Sequence, residues 1–212
     1  MNAILIAIIL ANVLFSFKGF NDTAFFRKYE FHMGSVLSGD QIRILSSGFL
    51  HADFSHLIFN MITLYFFAPV VIGFLGSLSF VIIYFGSLIF GSLLTIIFHK
   101  NDYNYRAIGA SGAVTGVLYS AILLQPDMML GIFFIIPMPA YIFGILYLLY
   151  SIYGMRAKND NIGHTAHFGG AIGGYLITLA SSPHLIVENT LMVVLLTLPI
   201  IVLFIMAKMG KI

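Results

Sequence analysis

The stretch FSHLIFNMITLYFFAPVVIGFLGSLSFVIIYFGSLIFGSLLTIIFH, Phe54–His99, contains no Asp, Glu, Lys or Arg. A membrane-crossing helix needs about 20 apolar residues, so this stretch has room for two. Charge-free windows on either side supply the rest. Ala107–Pro126, Met128–Met155, Asn161–Val187 and Asn189–Ala207 hold one crossing each, and Met1–Phe17 holds the first. The expectation is seven spans, at about 3–17, 56–75, 77–98, 111–124, 129–153, 166–181 and 190–207, in a single domain over 1–212.

Composition leads to the same class. Hydrophobic residues make up 60% and charged residues 8% of the chain, against about 25% charged in an ordinary soluble domain. Mean hydropathy is +1.01. This specifies an all-α, polytopic membrane helix bundle. The chain has no cysteine, which excludes disulfides, thiol nucleophiles and cysteine-ligated metals. A net charge of +2 without a basic cluster offers no footprint for nucleic acid. The first span has no basic residue before it and no small-residue cleavage pattern after it, so it reads as a span and not a signal peptide.

The longest piece outside the spans, Ser16–Ser55, sets Lys18, Arg27, Lys28, Glu30 and Arg43 among many aromatic residues. Such a loop is expected at the interface or partly within the bundle. Counting crossings then locates the polar residues. If the first span exits on side B, the second begins there near His56, and pairs of crossings return the chain to side B at Ser111 and again at His167. All three lie toward one membrane face. The span 111–124 has 14 residues, or roughly 21 Å of helix, against a hydrocarbon core of about 30 Å. Ser111 therefore starts its helix below the side B surface, where backbone must line protein or a wet cavity.

Three motifs carry chemistry. In Gly109-Ala110-Ser111-Gly112 the glycines permit a tight turn and leave space beside the hydroxyl. The start of the helix supplies unpaired N–H groups for a developing oxyanion. A simple N-cap serine is the alternative. In Ala166-His167-Phe168-Gly169-Gly170 the histidine can act as a general base near neutral pH. Gly169, Gly170, Gly173 and Gly174 form two interlocked Gly-x-x-x-Gly pairs that could approach Gly112 and Gly116 closely and bring His167 to Ser111. The alternative is that these glycines serve packing alone. His56 and Asn60, four apart, share one face at a helix start and could join the Ser111 N–H in an oxyanion hole. A zinc pair or polar helix–helix contact is the competing reading, and no carboxylate stands where a His-Glu-x-x-His metalloprotease needs one.

Taken together, His51-x4-His56-x3-Asn60, Gly109-Ala-Ser111-Gly112 and Ala166-His167-x-x-Gly170-x-x-x-Gly174 resemble, in order, the core motifs of the rhomboid intramembrane serine proteases, over about Arg43 to Tyr175. The resemblance implies a six-helix core followed here by one further span. It implies a catalytic Ser111–His167 dyad with no carboxylate, and His56 and Asn60 as catalytic oxyanion donors. It implies no cofactor, no metal, transmembrane protein substrates in a lipid bilayer, and no nucleic acid. Arg43 falls at the arginine of the family's membrane-embedded first loop, and His51 at an accessory histidine. Pro137 and Pro139 lie in the fifth span, which the family is thought to use as a substrate gate. Two positions depart from the pattern. Ile42 stands where Trp is common, and Thr115 replaces an aromatic that packs on the catalytic histidine, leaving Phe168 or His164 as substitutes. Asp53 and Asp160 are read as residues of solvated loops.

The ten Lys and Arg residues all fall on side B, which the positive-inside rule would make cytoplasmic. The resemblance instead puts the site at the extracytoplasmic face of a cell (inner) membrane, and that orientation is adopted, since several of these residues belong to the embedded loop. A catalytically inactive rhomboid-like protein that binds membrane proteins is the alternative function. A transporter should show inverted repeats and charged pathway residues, and neither is present in the sequence.

Overall fold

The structure is a computed structural model that describes residues 2–132, 136–157 and 162–212. It is an all-helical membrane bundle with two short β-ladders. In chain order come α1 (Ala3–Asn21), α2 (Thr23–Tyr29), β1 (Phe31–His32), α3 (Met33–Leu37), α4 (Arg43–Ser46), a 3-10 turn (Ser47–Phe49) and α5 (Phe54–His99). There follow β2 (Arg106–Ala107), α6 (Ser111–Leu124), β3 (Met129–Ile132), β4 (Ile136–Pro139), α7 (Ala140–Ala157), α8 (His164–Ser181), α9 (Leu185–Glu188) and α10 (Thr190–Lys208).

The 46-residue α5 is two crossings joined at Gly76, where φ 81° and ψ 168° interrupt the helix in a region that favours glycine. Contacts with α1 give the direction of each half. Asn2 Nδ2 donates to Ser77 Oγ (2.8 Å) and Asn12 Nδ2 to the Tyr84 hydroxyl (3.1 Å), so the second half runs alongside α1 in the same sense. Phe17, near the other end of α1, meets Phe54 edge-on, so the first half runs opposite to it. Large apolar side chains such as Phe59, Phe66 and Leu78 of α5 and Leu191 of α10 are exposed, as expected of surfaces that face lipid tails.

At the centre stands α6, with every residue from Gly112 to Leu124 buried. An all-round apolar helix belongs in the middle of a bundle. Packing of α8 on α6 is backbone to backbone. A Cβ built on Gly170 would lie 1.9 Å from Gly112 O, and one on Gly174 2.1 Å from Gly116 O. The other side of α8 presses on the second half of α5, where a Cβ on Gly91 would meet Ala166 O at 2.6 Å. The glycine faces predicted from sequence meet as expected. Polar contacts supplement the packing: Thr178 Oγ1 donates to Ser120 Oγ (2.6 Å), which donates to Gly174 O (3.2 Å). Such interhelical bonds each contribute about 0.6 kcal/mol in a membrane.

Six of the seven predicted spans coincide with helices to within about four residues, α6 without any shift. The fifth, 129–153, is corrected. Its first part is a hairpin in which Met129 pairs with Pro139, Leu130 with Met138 and Gly131 with Pro137, and the helix begins only at Ala140. Pro137 and Pro139 each lack a backbone donor and push the preceding residue out of the helical region. Spaced two apart, they share one phase of the strand, and the other phase continues the pairing, with Ala140 N–H donating to Met128 O at 2.8 Å.

The loop between α1 and α5 is closely tied to the bundle. Arg43 Nη1 donates to the Arg27 and Glu30 carbonyls (2.9 Å each) and its Nε to Asp40 (2.6 Å). The buried Glu30 carboxylate takes Arg106 and Arg27. β1 pairs with β2, fixing this loop against the segment that leads into Gly109.

Candidate active site

Gly109 has φ 117°, and its N–H is held by Ser47 O at 3.0 Å. This turn sets Ser111 at the start of α6. Because α8 lies so close along α6, His167, in the first turn of α8, reaches Ser111: Nε2 to Oγ is 2.6 Å. His167 is buried and Ser111 half-buried. The geometry is that of a hydroxyl hydrogen-bonded to an imidazole, the pairing a nucleophile and its base require.

His56 stands beside the same place, with Asn60 one helical turn further along α5. A methyl built on Gly109 would lie 2.8 Å from His56 Nε2 and 3.6 Å from Ser111 Oγ, so imidazole and hydroxyl share one small space. The Ala52 N–H makes a long contact with His56 Nδ1 (3.5 Å), which favours a proton on Nε2, the nitrogen beside Gly109. Asn60 is buried and gives one amide proton to His56 O at 3.0 Å, and its amide carries a second. Asp53 caps α5 by accepting from His56 N (2.8 Å), which explains its place in the motif without a role beside His167. Asp160 lies outside the described residues. A cavity of about 30 Å³, lined by Ser47, Ser92, Thr95, Gly109 and Ala166, adjoins Ser111, and is large enough for a water molecule.

His51 is fully buried in the loop before α5. Its Nε2 accepts from the Ala110 N–H (3.4 Å), so its Nδ1–H donates to Ser16 Oγ (2.8 Å), which donates to Phe49 O (3.0 Å). A directed chain thus joins α1 to the residue before Ser111. Burial pushes the His51 imidazole down to about 3, the neighbouring His56 adds to this, and Asp53 opposes it. Unfolded His51 takes up a proton below about 6.5, whereas folded His51 does so only near 3. The stability it contributes is therefore complete above about 6.5 and lost as pH falls toward 3. Thermal melts in detergent between pH 7 and 4 should show a declining Tm. His51→Gln should lower Tm at pH 7 and flatten that slope; parallel wild-type and variant slopes would contradict it.

The ring that stacks on His167 comes from a residue the sequence did not single out. Tyr147 of α7 lies with its ring centroid 5.7 Å from that of His167 at an interplanar angle of 26°, and its hydroxyl is 2.8 Å from Nδ1. Of the two substitutes expected for an aromatic at 115, His164 meets His167 edge-on at 6.3 Å, while Phe168 is fully buried. The available signal was the run of tyrosines at 141, 147, 150 and 153, set against the missing aromatic at Thr115.

Among the described residues no cluster of His, Asp or Glu could hold a metal ion. The sequence profile of the Rhomboid domain matches residues 38–184. "RHOMBOID-like protein 12, mitochondrial" of Arabidopsis thaliana is 28% identical over 185 residues, which are 79% of this chain and 55% of that protein. The Bacillus subtilis protein YdcA, named as a candidate rhomboid protease, is 32% identical over 145 residues, 68% of either chain. "Rhomboid protein 1, mitochondrial" of Saccharomyces cerevisiae is 30% identical over 141 residues, 64% of this chain and 40% of that one. The chain thus spans between two fifths and about two thirds of these relatives. The matched segment begins in the loop that carries Arg43, passes through Ser111 and ends just beyond the helix of His167, and on that basis the chain belongs to the rhomboid family.

Proposed function

We propose that this chain is an intramembrane serine endopeptidase that cleaves transmembrane segments, with Ser111 as nucleophile and His167 as general base. The observation that carries the reading is the 2.6 Å contact between His167 Nε2 and Ser111 Oγ. A substrate segment must unwind locally before reaction, because helical peptide carbonyls are already hydrogen-bonded and shielded. Ser111 Oγ then attacks the carbonyl carbon while His167 Nε2 takes the hydroxyl proton. The oxyanion is received by the His56 Nε2–H, the second Asn60 amide proton and the Ser111 N–H. Collapse breaks the C–N bond, and His167 passes its proton to the departing amine. Water entering from the side B face repeats the sequence on the acyl-enzyme, returning its proton through His167 to Ser111.

A fluorophosphonate serine-hydrolase probe tests the assignment on protein in detergent. Wild type should label, and Ser111→Ala and His167→Ala should not. Equal reaction of all three would remove the protease reading and leave the binding role of an inactive relative. Orientation is a separate expectation. We place side B at the extracytoplasmic face, so a topology reporter fused after Lys211 should read extracytoplasmic; a cytoplasmic readout would favour the positive-inside assignment.

A further inference from the structure

On the flank of the bundle, Phe15 of α1, Phe25 and Tyr29 of α2, Leu45 of α4 and Phe85 of α5 line an open groove of about 540 Å³. That volume is within the range of ligand pockets. Its wall is aromatic and braced. Ring centroids lie 5.9 Å apart for Phe15 and Phe25, 4.7 Å for Phe25 and Tyr29, and 6.2 Å for Phe49 and Phe85. The backbone behind the rings is tied as well. Ser46 Oγ donates to Tyr29 O (2.8 Å), Ser16 Oγ to Phe49 O (3.0 Å), and the Gly109 N–H to Ser47 O (3.0 Å). A ligand therefore meets a preformed surface and has little to order on binding. Depth follows from the contact of Asn2 with Ser77, at the ends of α1 and the second half of α5 that lie away from side B. At about 1.5 Å per residue, Phe85 is roughly 12 Å along its helix from that contact and Lys18 roughly 24 Å. One end of the groove is thus near the middle of the bilayer and the other near the side B surface.

Two ammonium groups mark the outer end. Lys18 Nζ stands 5.7 Å from the Phe25 ring centroid, and Lys28 Nζ 5.4 Å from that of Tyr29. Both rings line the groove. Lys18 shares its charge with Asp22 at 3.3 Å, while the exposed Lys28 makes no ion pair among the described residues. We propose that this groove binds an anionic phospholipid, with one acyl chain against the aromatic wall and the headgroup phosphate at Lys28 and Lys18. The two ends of such a lipid match the two ends of the groove. Its chain has no hydrogen-bonding groups, and the one hydroxyl on the wall besides that of Tyr29 belongs to Ser46 and is committed to a carbonyl. An extended polypeptide would instead bring N–H and C=O groups to a wall that cannot satisfy them. At the surface, a lysine whose charge no carboxylate answers favours a net negative headgroup over a zwitterionic one. Ile42 also lines the groove and is exposed. The Trp common at this position in the family is large enough to occupy the same space, so the room for a chain belongs to this sequence. A protease and an inactive relative would bind the lipid alike.

Native mass spectrometry of the full chain in detergent, titrated with dioleoyl phosphatidylglycerol, gives the Kd of the first lipid bound. It should be roughly fivefold lower than for phosphatidylcholine with the same chains, the worth of one lysine at an anionic surface. Lys28→Gln should abolish that preference and leave the Tm of the lipid-free protein unchanged, and Lys28→Arg should keep the preference. Ile42→Trp should weaken both lipids by taking the space of the chain. Lys211→Gln, beyond α10, controls for general attraction to a basic protein and should change nothing. Free glycerol 3-phosphate should not displace the lipid even in hundredfold excess. Equal Kd values for the two lipids in wild type would reduce the groove to one more surface in contact with bulk lipid and overturn the proposal. So would a loss of preference in Lys211→Gln as large as in Lys28→Gln, or full affinity in Ile42→Trp. Displacement by glycerol 3-phosphate would leave an anion site without a lipid. Displacement by an equimolar transmembrane peptide would give the groove to a polypeptide, and either result would also overturn the assignment.

Discussion

Gly170→Ala should lower stability by about 3 kcal/mol or more and remove most probe labelling at the same time. A methyl at this position would sit 1.9 Å from the Gly112 carbonyl oxygen and 2.9 Å from its Cα. Both are backbone atoms of a buried helix, so no rotamer change relieves the clash, and the helices must separate. Overpacking of this kind ordinarily costs about 1–3 kcal/mol even where side chains can adjust. Activity suffers with stability because Ser111 adjoins Gly112 and His167 lies one turn before Gly170, so the same separation stretches their 2.6 Å contact. A graded series isolates the cause. A Cβ on Gly112 would lie 3.1 Å from Ala166 O, tight but within reach of a small shift, and Gly112→Ala should fall between the extremes. Gly73 has nothing within 4 Å of its built Cβ, and Gly73→Ala should raise stability by about 0.5–1 kcal/mol through helix propensity. Thermal melts and labelling rates on the three variants check the order. A Gly170→Ala protein that melts with wild type would show that the α6–α8 seam is not closed by backbone contact.

That seam also explains what could be read from the chain before any coordinates. Charge-free windows located the spans because lipid penalises every unneutralised side chain, and α6 emerged with both ends in place because Gln125-Pro126-Asp127 and Gly109 bound it sharply. Spaced glycines on two spans implied a close approach, and the Ser111–His167 contact follows from it. Two features were not legible, for different reasons. The segment before α7 is as apolar as a helix, so hydropathy assigned it to one, while the backbone restrictions of Pro137 and Pro139 give it to a hairpin. Tyr147 escaped because a tyrosine among Tyr141, Tyr150 and Tyr153 has no distinguishing spacing. Only the antiparallel docking of α7 on α6, seen where the Tyr119 hydroxyl meets the Gly144 carbonyl, selects which of the four faces His167. The basic residues show a related limit: the positive-inside rule counts all ten alike, yet Arg43 of the first loop is bound to two carbonyls and Asp40, and Arg106, just before α6, to the buried Glu30.

The proposed oxyanion donors give the second large effect. His56→Ala should lower kcat by about a hundred- to a thousandfold, the usual cost of one such donor, with KM little altered, because the interaction strengthens only as charge develops on the carbonyl oxygen. His56 is the cleaner of the two positions to test. Its ring is only half-buried and stands beside Gly109 and Ser111, so truncation removes a donor without opening the core. Asn60 is buried and bonded to the His56 carbonyl, so Asn60→Ala loses packing as well as a donor and should reduce both Tm and kcat. The Asn60 anchor is a backbone oxygen that survives in His56→Ala, so the effects of the two sites on kcat can be compared directly. Should His56→Ala retain a kcat within threefold of wild type at unchanged Tm, the imidazole does not face the developing charge. The oxyanion would then rest on Asn60 and the Ser111 N–H at the head of α6, and Asn60→Ala would have to show the larger loss in kcat.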